Sequence, residues 1–264
     1  TSYVPYAEPG KHPGDSIAFW KRALAEHRYD AERKLIMVAG SQAVARNSAE
    51  AYNELGIIGL CSTVDSVGVD KRRRNAALRF TLAAELGHEA AAKNVLMMFL
   101  VHGTRRSDND VVAALKVCER LAQQNDALAC YLLGLAYETE GGVAKNSPEA
   151  LALYQRCPPD HLFAQKGIVR LGLKRADMQL TAQASLLQKA AADGDGESCY
   201  YLAYMHLVGK GVQKDENLVQ AMMKRSVDLG FVPAVDDVNK GTMQPFKAPR
   251  RKFMTQPDWA SDVN

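Results

Sequence analysis

Proline is nearly missing from the middle of this 264-residue chain: none of its ten prolines falls between Gly14 and Ser147. Proline has no amide donor and clashes with the preceding helical turn, so a long proline-free interior is compatible with continuous helix. The prolines gather instead at the ends, as Pro5, Pro9 and Pro13, and as Pro245, Pro249 and Pro257. Long apolar runs are also lacking. The longest, Val95–Val101, has seven residues, against the roughly 20 needed to cross a bilayer as a helix, so no membrane span is expected. Cysteine is sparse and unpatterned: five residues (Cys61, Cys118, Cys130, Cys157, Cys199) with no CxxC. That excludes a disulfide framework and a zinc motif, and it favours a reducing compartment. Such cysteines read as small apolar packing residues.

Catalytic and cofactor motifs are lacking as well. The six histidines form no HExxH and no close pair with a cysteine. Gly209-Lys210-Gly211-Val212 is not a phosphate loop, which requires GxxxxGK[ST] after a strand. Asp193–Glu197 lacks the spacing of a calcium loop, and no GxSxG or Ser/His/Asp order is present. The sequence therefore predicts no enzyme, no cofactor, no metal site and no small-molecule substrate.

What the chain does have is alanine and leucine, about a quarter of all residues, and both favour helix. It also repeats itself. Residues 129–158 and 198–230 each run from a small residue and a cysteine through an apolar helix, a Gly-Val turn and a polar cap into a second apolar helix. Weaker copies occupy 51–87, 88–125 and 161–194, with unit ends at Gly87, Asn125, His161, Gly194 and Gly230. Repeats of this length, each a helix pair, stack into a solenoid. Gly56, Gly134 and Ala203 are expected where two helices approach closely. Gly141-Gly142, Gly209 and Gly211 are expected to end first helices, Ser147 to cap a second helix with Pro148 at its first position, and Asp215 to cap its counterpart.

Those residues resemble the Sel-one-like (SLR) repeats, relatives of the tetratricopeptide family. The 129–158 copy supplies Ala129, Leu133, Gly134, Tyr137, Gly142, Val143, Asn146, Ala150 and Tyr154; the 198–230 copy supplies Leu202, Gly209, Gly211, Val212, Asp215 and Gly230. The resemblance implies an all-α, right-handed α-solenoid of about five helix-pair repeats, with Gly56, Gly134, Tyr137, Gly142, Gly211 and Gly230 as repeat-structural residues. It also implies an adaptor or assembly role among protein partners. The expected organisation is an extended N-terminal arm at 1–14, capping helices at 15–47, the repeats at 48–239 and an extended C-terminal arm at 240–264.

Charge points to candidate partner-binding residues. The basic run Lys71-Arg72-Arg73-Arg74 joins Arg105-Arg106, Lys174-Arg175, Lys210 and Lys214 at what read as inter-helix turns. From Lys240 onward there are five basic and two acidic residues, so this arm holds the chain's whole net charge of +3. It also carries Phe246, Arg250, Arg251, Lys252, Phe253 and Trp259, the residue types that anchor interfaces. The function expected is a non-catalytic scaffold or structural subunit of a large multiprotein complex, a respiratory complex or mitochondrial ribosome. An assembly factor or an RNA-contacting repeat protein is the alternative. Nucleic acid is the less favoured partner, because no recurring base-reading pair appears. A mildly basic chain opening at Thr1 fits a removed targeting segment, so a mitochondrial setting is expected, with the cytoplasm as alternative.

Overall fold

A small buried residue recurs at the third position of every first helix of a pair, and this sets the register of the protein. The computed structural model describes residues 47–61, 69–101, 103 and 108–239, together with 38, 40 and 41. Among these there are eleven α-helices and no strand: α1 (Ala49–Cys61), α2 (Val69–Glu85), α3 (Glu89–Leu100), α4 (Asp108–Gln123), α5 (Ala127–Thr139), α6 (Ser147–Gln155), α7 (Leu162–Gly172), α8 (Thr181–Ala192), α9 (Gly196–Val208), α10 (Glu216–Asp228) and α11 (Val232–Asn239). The third residues of α1, α3, α5, α7, α9 and α11 are Ala51, Ala91, Ala129, Ala164, Ser198 and Ala234, each 0% exposed. In five of these helices the residue before the helix accepts a hydrogen bond from that same third amide. Ser48 caps α1, His88 α3, Asp126 α5, His161 α7 and Asp195 α9. One residue thus starts the helix while its partner buries the small side chain.

The chain divides into two compact units, the boundary falling within α4 between Cys118 and Glu119. In the first unit α1 packs on α2, and α2 on α3. Gly56 permits the first contact: a Cβ there would lie 2.4 Å from Cε1 of Phe80. Arg79 donates to the Leu55 carbonyl at 2.7 Å, and Asn94 of α3 donates to Asn53 of α1 at 3.0 Å.

In the second unit α5 pairs with α6, α7 with α8 and α9 with α10, while α11 packs on α10. Gly134 plays the part of Gly56, since a Cβ there would be 2.6 Å from the Tyr154 ring. The buried core is aliphatic and aromatic, including Leu132, Tyr154, Leu180, Leu187, Tyr201, Tyr204 and Met205.

The structure corrects several details. α6 is capped by Asn146, whose side chain accepts from Glu149 N, so Ser147 is already the first helical residue. The left-handed residue ending α5 is Glu140, at φ 59°, rather than Gly141; Gly142 has φ 85°. At the equivalent place in α9 stands Gly209, at φ 73°. Asp215 caps α10 as expected. The basic run Lys71–Arg74 lies inside the first turns of α2 rather than in a turn, because four good helix formers offer nothing to break the helix. The arms at 1–14 and 240–264 lie outside the described residues, as does most of 15–47.

Candidate protein-interaction face

Seven polar groups on the first helices and on Tyr154 form one continuous network in the second unit, buried at Glu138, Tyr154, Lys166, Arg170 and Tyr201 and half-buried at Glu197 and Asp195. Glu138 of α5 accepts two hydrogen bonds from Arg170 of α7, through Nε and Nη2. Tyr154 of α6 donates to Glu138 Oε2 at 2.8 Å. Arg170 Nη1 donates to the Tyr201 hydroxyl of α9 at 3.1 Å, and Tyr201 donates to Glu197 Oε1 at 3.3 Å. Lys166, one turn before Arg170, then pairs with Glu197 at 3.1 Å and with Asp195 at 2.7 Å. Asp195 is also the cap of α9.

Lys166 is 2%, Arg170 3% and Glu138 6% exposed, so these charges stand where water cannot screen them. Burial pushes the Glu138 carboxyl up, but Arg170 outweighs it and the net direction is down. The Tyr154 phenol is pushed well up by burial and by the neighbouring carboxylate. A buried ion pair of this kind adds little net stability, because desolvation offsets most of the attraction, while loss of one member strands the other.

The last first helix is held in the same manner. Tyr200 and Tyr204 of α9 both donate to Asp237 Oδ2 of α11, at 2.7 and 2.8 Å. Burial pushes the Tyr204 phenol up to about 12. An aromatic group of Tyr131, His161 and Phe163 lies at the start of α7.

A second recurrent device joins the second helices. Arg156, just past α6, donates to the Ala122 carbonyl near the end of α4, and Arg225 of α10 donates to the Ala192 carbonyl at the end of α8, at 3.1 Å. Lys210 reaches back in the same direction, to the Gly172 and Leu173 carbonyls ending α7, both at 3.1 Å. These cations meet the negative ends of helices.

The candidate residues fall as follows. Lys71 and Arg74 are exposed and Arg72 and Arg73 half-buried on α2. Lys174 and Arg175 do lie between helices, but Arg175 pairs with Asp177 at 2.8 Å. Arg105 and Arg106, and Phe246, Arg250, Arg251, Lys252, Phe253 and Trp259, lie outside the described residues. The repeat-structural residues stand at helix contacts and turns: Gly56 and Gly134 at close helix contacts, Gly142, Gly211 and Gly230 at positive φ, and Tyr137 half-buried on α5. The network itself was not anticipated, although Lys166 and Arg170 one turn apart inside an otherwise apolar helix were its visible sign. Cys118, Cys130, Cys157 and Cys199 are buried and form no disulfide; burial raises the Cys157 thiol to about 12, which keeps it protonated. Among the described residues no three His, Cys, Asp or Glu side chains are grouped to hold a metal ion, and no helix is long and apolar enough to cross a membrane.

These features define an all-α protein of stacked helix pairs, bound repeat to repeat by buried polar contacts. The Sel1 repeat family model matches residues 127–156 and 196–230, the α5–α6 and α9–α10 pairs, so these two helix pairs are Sel1 repeats, units that mediate protein–protein interactions. A Sel1 repeat protein from Oxalobacter formigenes is similar in structure, with a TM-score of 0.55 at 20% identity over 86% of this chain and 66% of that one. A protective antigen of uropathogenic Escherichia coli displaying an SLR fold is similar at a TM-score of 0.54 and 20% identity, over 85% of this chain and 51% of that one. The chain therefore spans 66% and 51% of the lengths of these two proteins, and the likeness is one of fold. No curated protein matches it.

Proposed function

We propose that this protein is a non-catalytic scaffold or structural subunit of a multiprotein complex, most readily a mitochondrial one. The observation that carries the reading is the buried network from Tyr154 to Asp195. Its acids, bases and phenols are engaged in fixing helix to helix, and the Sel1 repeats they fix are protein-interaction units. The raised Cys157 thiol and the tyrosines directed at carboxylates are held in forms that suit packing rather than chemistry. Buried cysteines without a disulfide among the described residues, and a net charge of +3, are in keeping with a reducing interior such as the mitochondrial matrix. The partner contacts are assigned to Lys71–Arg74 on α2 and to Phe246, Arg250, Arg251, Lys252, Phe253 and Trp259.

Size-exclusion of native mitochondrial extract, with detection of this chain, tests the proposal. Co-elution far above 28.9 kDa, with cross-links from Lys247 and Lys252 to other subunits, is the expected result. Elution as a free monomer overturns it.

A further inference from the structure

Two histidines hold a place in the repeat that serine and aspartate hold elsewhere. The residue before each of the first helices α1, α3, α5, α7 and α9 is Ser48, His88, Asp126, His161 and Asp195 in turn, and each accepts a hydrogen bond from the third amide of its helix. His88 accepts through Nδ1 from Ala91 N and His161 through Nδ1 from Ala164 N, both at 3.2 Å. The amide supplies the hydrogen, so Nδ1 must offer its lone pair and the neutral ring must carry its hydrogen on Nε2. A protonated ring has hydrogen on both nitrogens and no acceptor left. It also sets a positive charge at the positive end of the helix dipole. Serine does not titrate in this range, and an aspartate takes up its proton only near about pH 4.

Both rings are half-buried. Tyr131 of α5 and Phe163 of α7 pack on His161, at 5.4 and 6.4 Å between centroids. Asp160, beside it in the preceding turn, is the charge that bears on it. Lys166, one turn along α7, is held by Asp195 and Glu197 at the start of α9, and the titratable groups of α6 and α8 are Glu149, Tyr154 and Lys189. His88 stands in the turn from α2 to α3, its amide donating to the Ala83 carbonyl at 3.0 Å. The titratable groups on the helices packed together there are Glu50, Tyr52 and Glu54 on α1, Arg79 and Glu85 on the second half of α2, and Glu89 and Lys93 on α3. We propose that the two histidine caps are a built-in acid response: on acidification the first turns of α3 and α7 open, one in each compact unit, while those of α1, α5 and α9 stay closed. At His161 burial lowers the pKa below 6.5, so its cap is complete above that pH and is lost as pH falls through the folded value.

Amide hydrogen exchange of the full chain, resolved by NMR and corrected for intrinsic rates, tests this at about pH 7.5 and about pH 5. Protection at Ala91 and Ala164 should fall at least about fivefold in acid, the effect of losing one helix cap, while Ala51, Ala129 and Ser198 keep theirs. A chain carrying His88→Asp and His161→Asp should keep all five at both pH values. Asparagine caps α6 without titrating, so His88→Asn with His161→Asn gives the same comparison if the aspartate chain folds poorly. Unchanged protection at Ala91 and Ala164 overturns the proposal. An equal loss at all five amides overturns it too, since that is a general loosening in acid. A loss that persists in the substituted chain places the acid-sensitive group elsewhere and overturns it as well. The scaffold reading stands or falls separately, on co-elution with a large complex.

Discussion

Gly167 of α7 and Tyr154 of α6 fit edge to backbone: a Cβ at 167 would lie 2.5 Å from Tyr154 Cε2. Gly134 of α5 meets the opposite edge, where a Cβ would be 2.6 Å from Cε1. The ring is thus held between first helices of consecutive repeats, with its hydroxyl on Glu138. Gly167→Ala and Gly134→Ala should each destabilise the fold by about 1–3 kcal/mol, the usual range for overfilling a packed interior. Urea denaturation followed by circular dichroism measures this. An unchanged midpoint for both variants would contradict the packing described.

The Glu138–Arg170 pair makes a different prediction, because removing one member strands the other. Arg170→Met should cost about 3–5 kcal/mol, while Glu138→Leu combined with Arg170→Met should cost much less. The pH dependence has a definite sign. The folded carboxyl lies below its ordinary value of 4.5, so its contribution is complete at neutral pH. It is lost as pH falls below that value towards the folded one. Glu138→Gln should therefore flatten the acid limb of stability against pH; an acid limb identical to the parent's would count against the pairing.

The helix pairs were legible in the sequence because they follow from local chemistry. Gly134, Gly56 and Asp215 occupy the places their residue types dictate, since a close contact or a cap leaves few alternatives. The Asn146 cap and the Glu140 left-handed turn were misplaced by one residue because Asn146 and Ser147 both cap well, and glutamate is rarely found at positive φ. The buried network was illegible for a different reason. Glu138, Arg170, Tyr201 and Lys166 meet only after three helix pairs have stacked, and a lysine or arginine in a helix ordinarily signals solvent. The same residues explain why the 161–194 copy is a weak one: α7 uses two of its interior positions for charge. Nothing in one repeat announces what the next will place against it.

His161 caps α7 through Nδ1, 3.2 Å from Ala164 N, a bond available only while that nitrogen is unprotonated. Tyr131 and Phe163 rings pack on it. Burial lowers its pKa below 6.5, against the opposing pull of Asp160. The unfolded chain thus takes up the proton first, so stability is complete above about pH 6.5 and falls as pH drops through the folded value. His161→Asp installs the cap used by α5 and α9 and should lose less stability between pH 7.5 and pH 5.5, read as urea midpoints at the two pH values. A loss equal to the parent's would contradict the capping role.

Ser198 occupies the third position that alanine fills in the five other first helices, and its buried hydroxyl has no hydrogen-bond partner. Ser198→Ala removes a desolvated oxygen and leaves the packing intact. It should stabilise the protein by about 1 kcal/mol, visible as a raised melting temperature in calorimetry. A lowered melting temperature would show that the hydroxyl is satisfied in solution.

Arg156 and Arg225 stand at the same repeat position in the α6 and α10 segments and perform the same task on different helix ends. A guanidinium at a helix C-terminus gains from the carbonyls it satisfies and from the aligned peptide dipoles. Both side chains are largely exposed, which keeps each contribution near 1 kcal/mol. The two arginines serve separate pairs of helices with no shared partner, so their effects should add. Arg156→Ala and Arg225→Ala should each lower stability by that amount and the double variant by about twice as much. Lysine at either position should restore part of the loss, since it keeps the charge but not the planar fork. The measurement is urea unfolding of the three alanine variants and two lysine variants. A double variant no less stable than either single one would show that the arginines do not act independently on separate repeats.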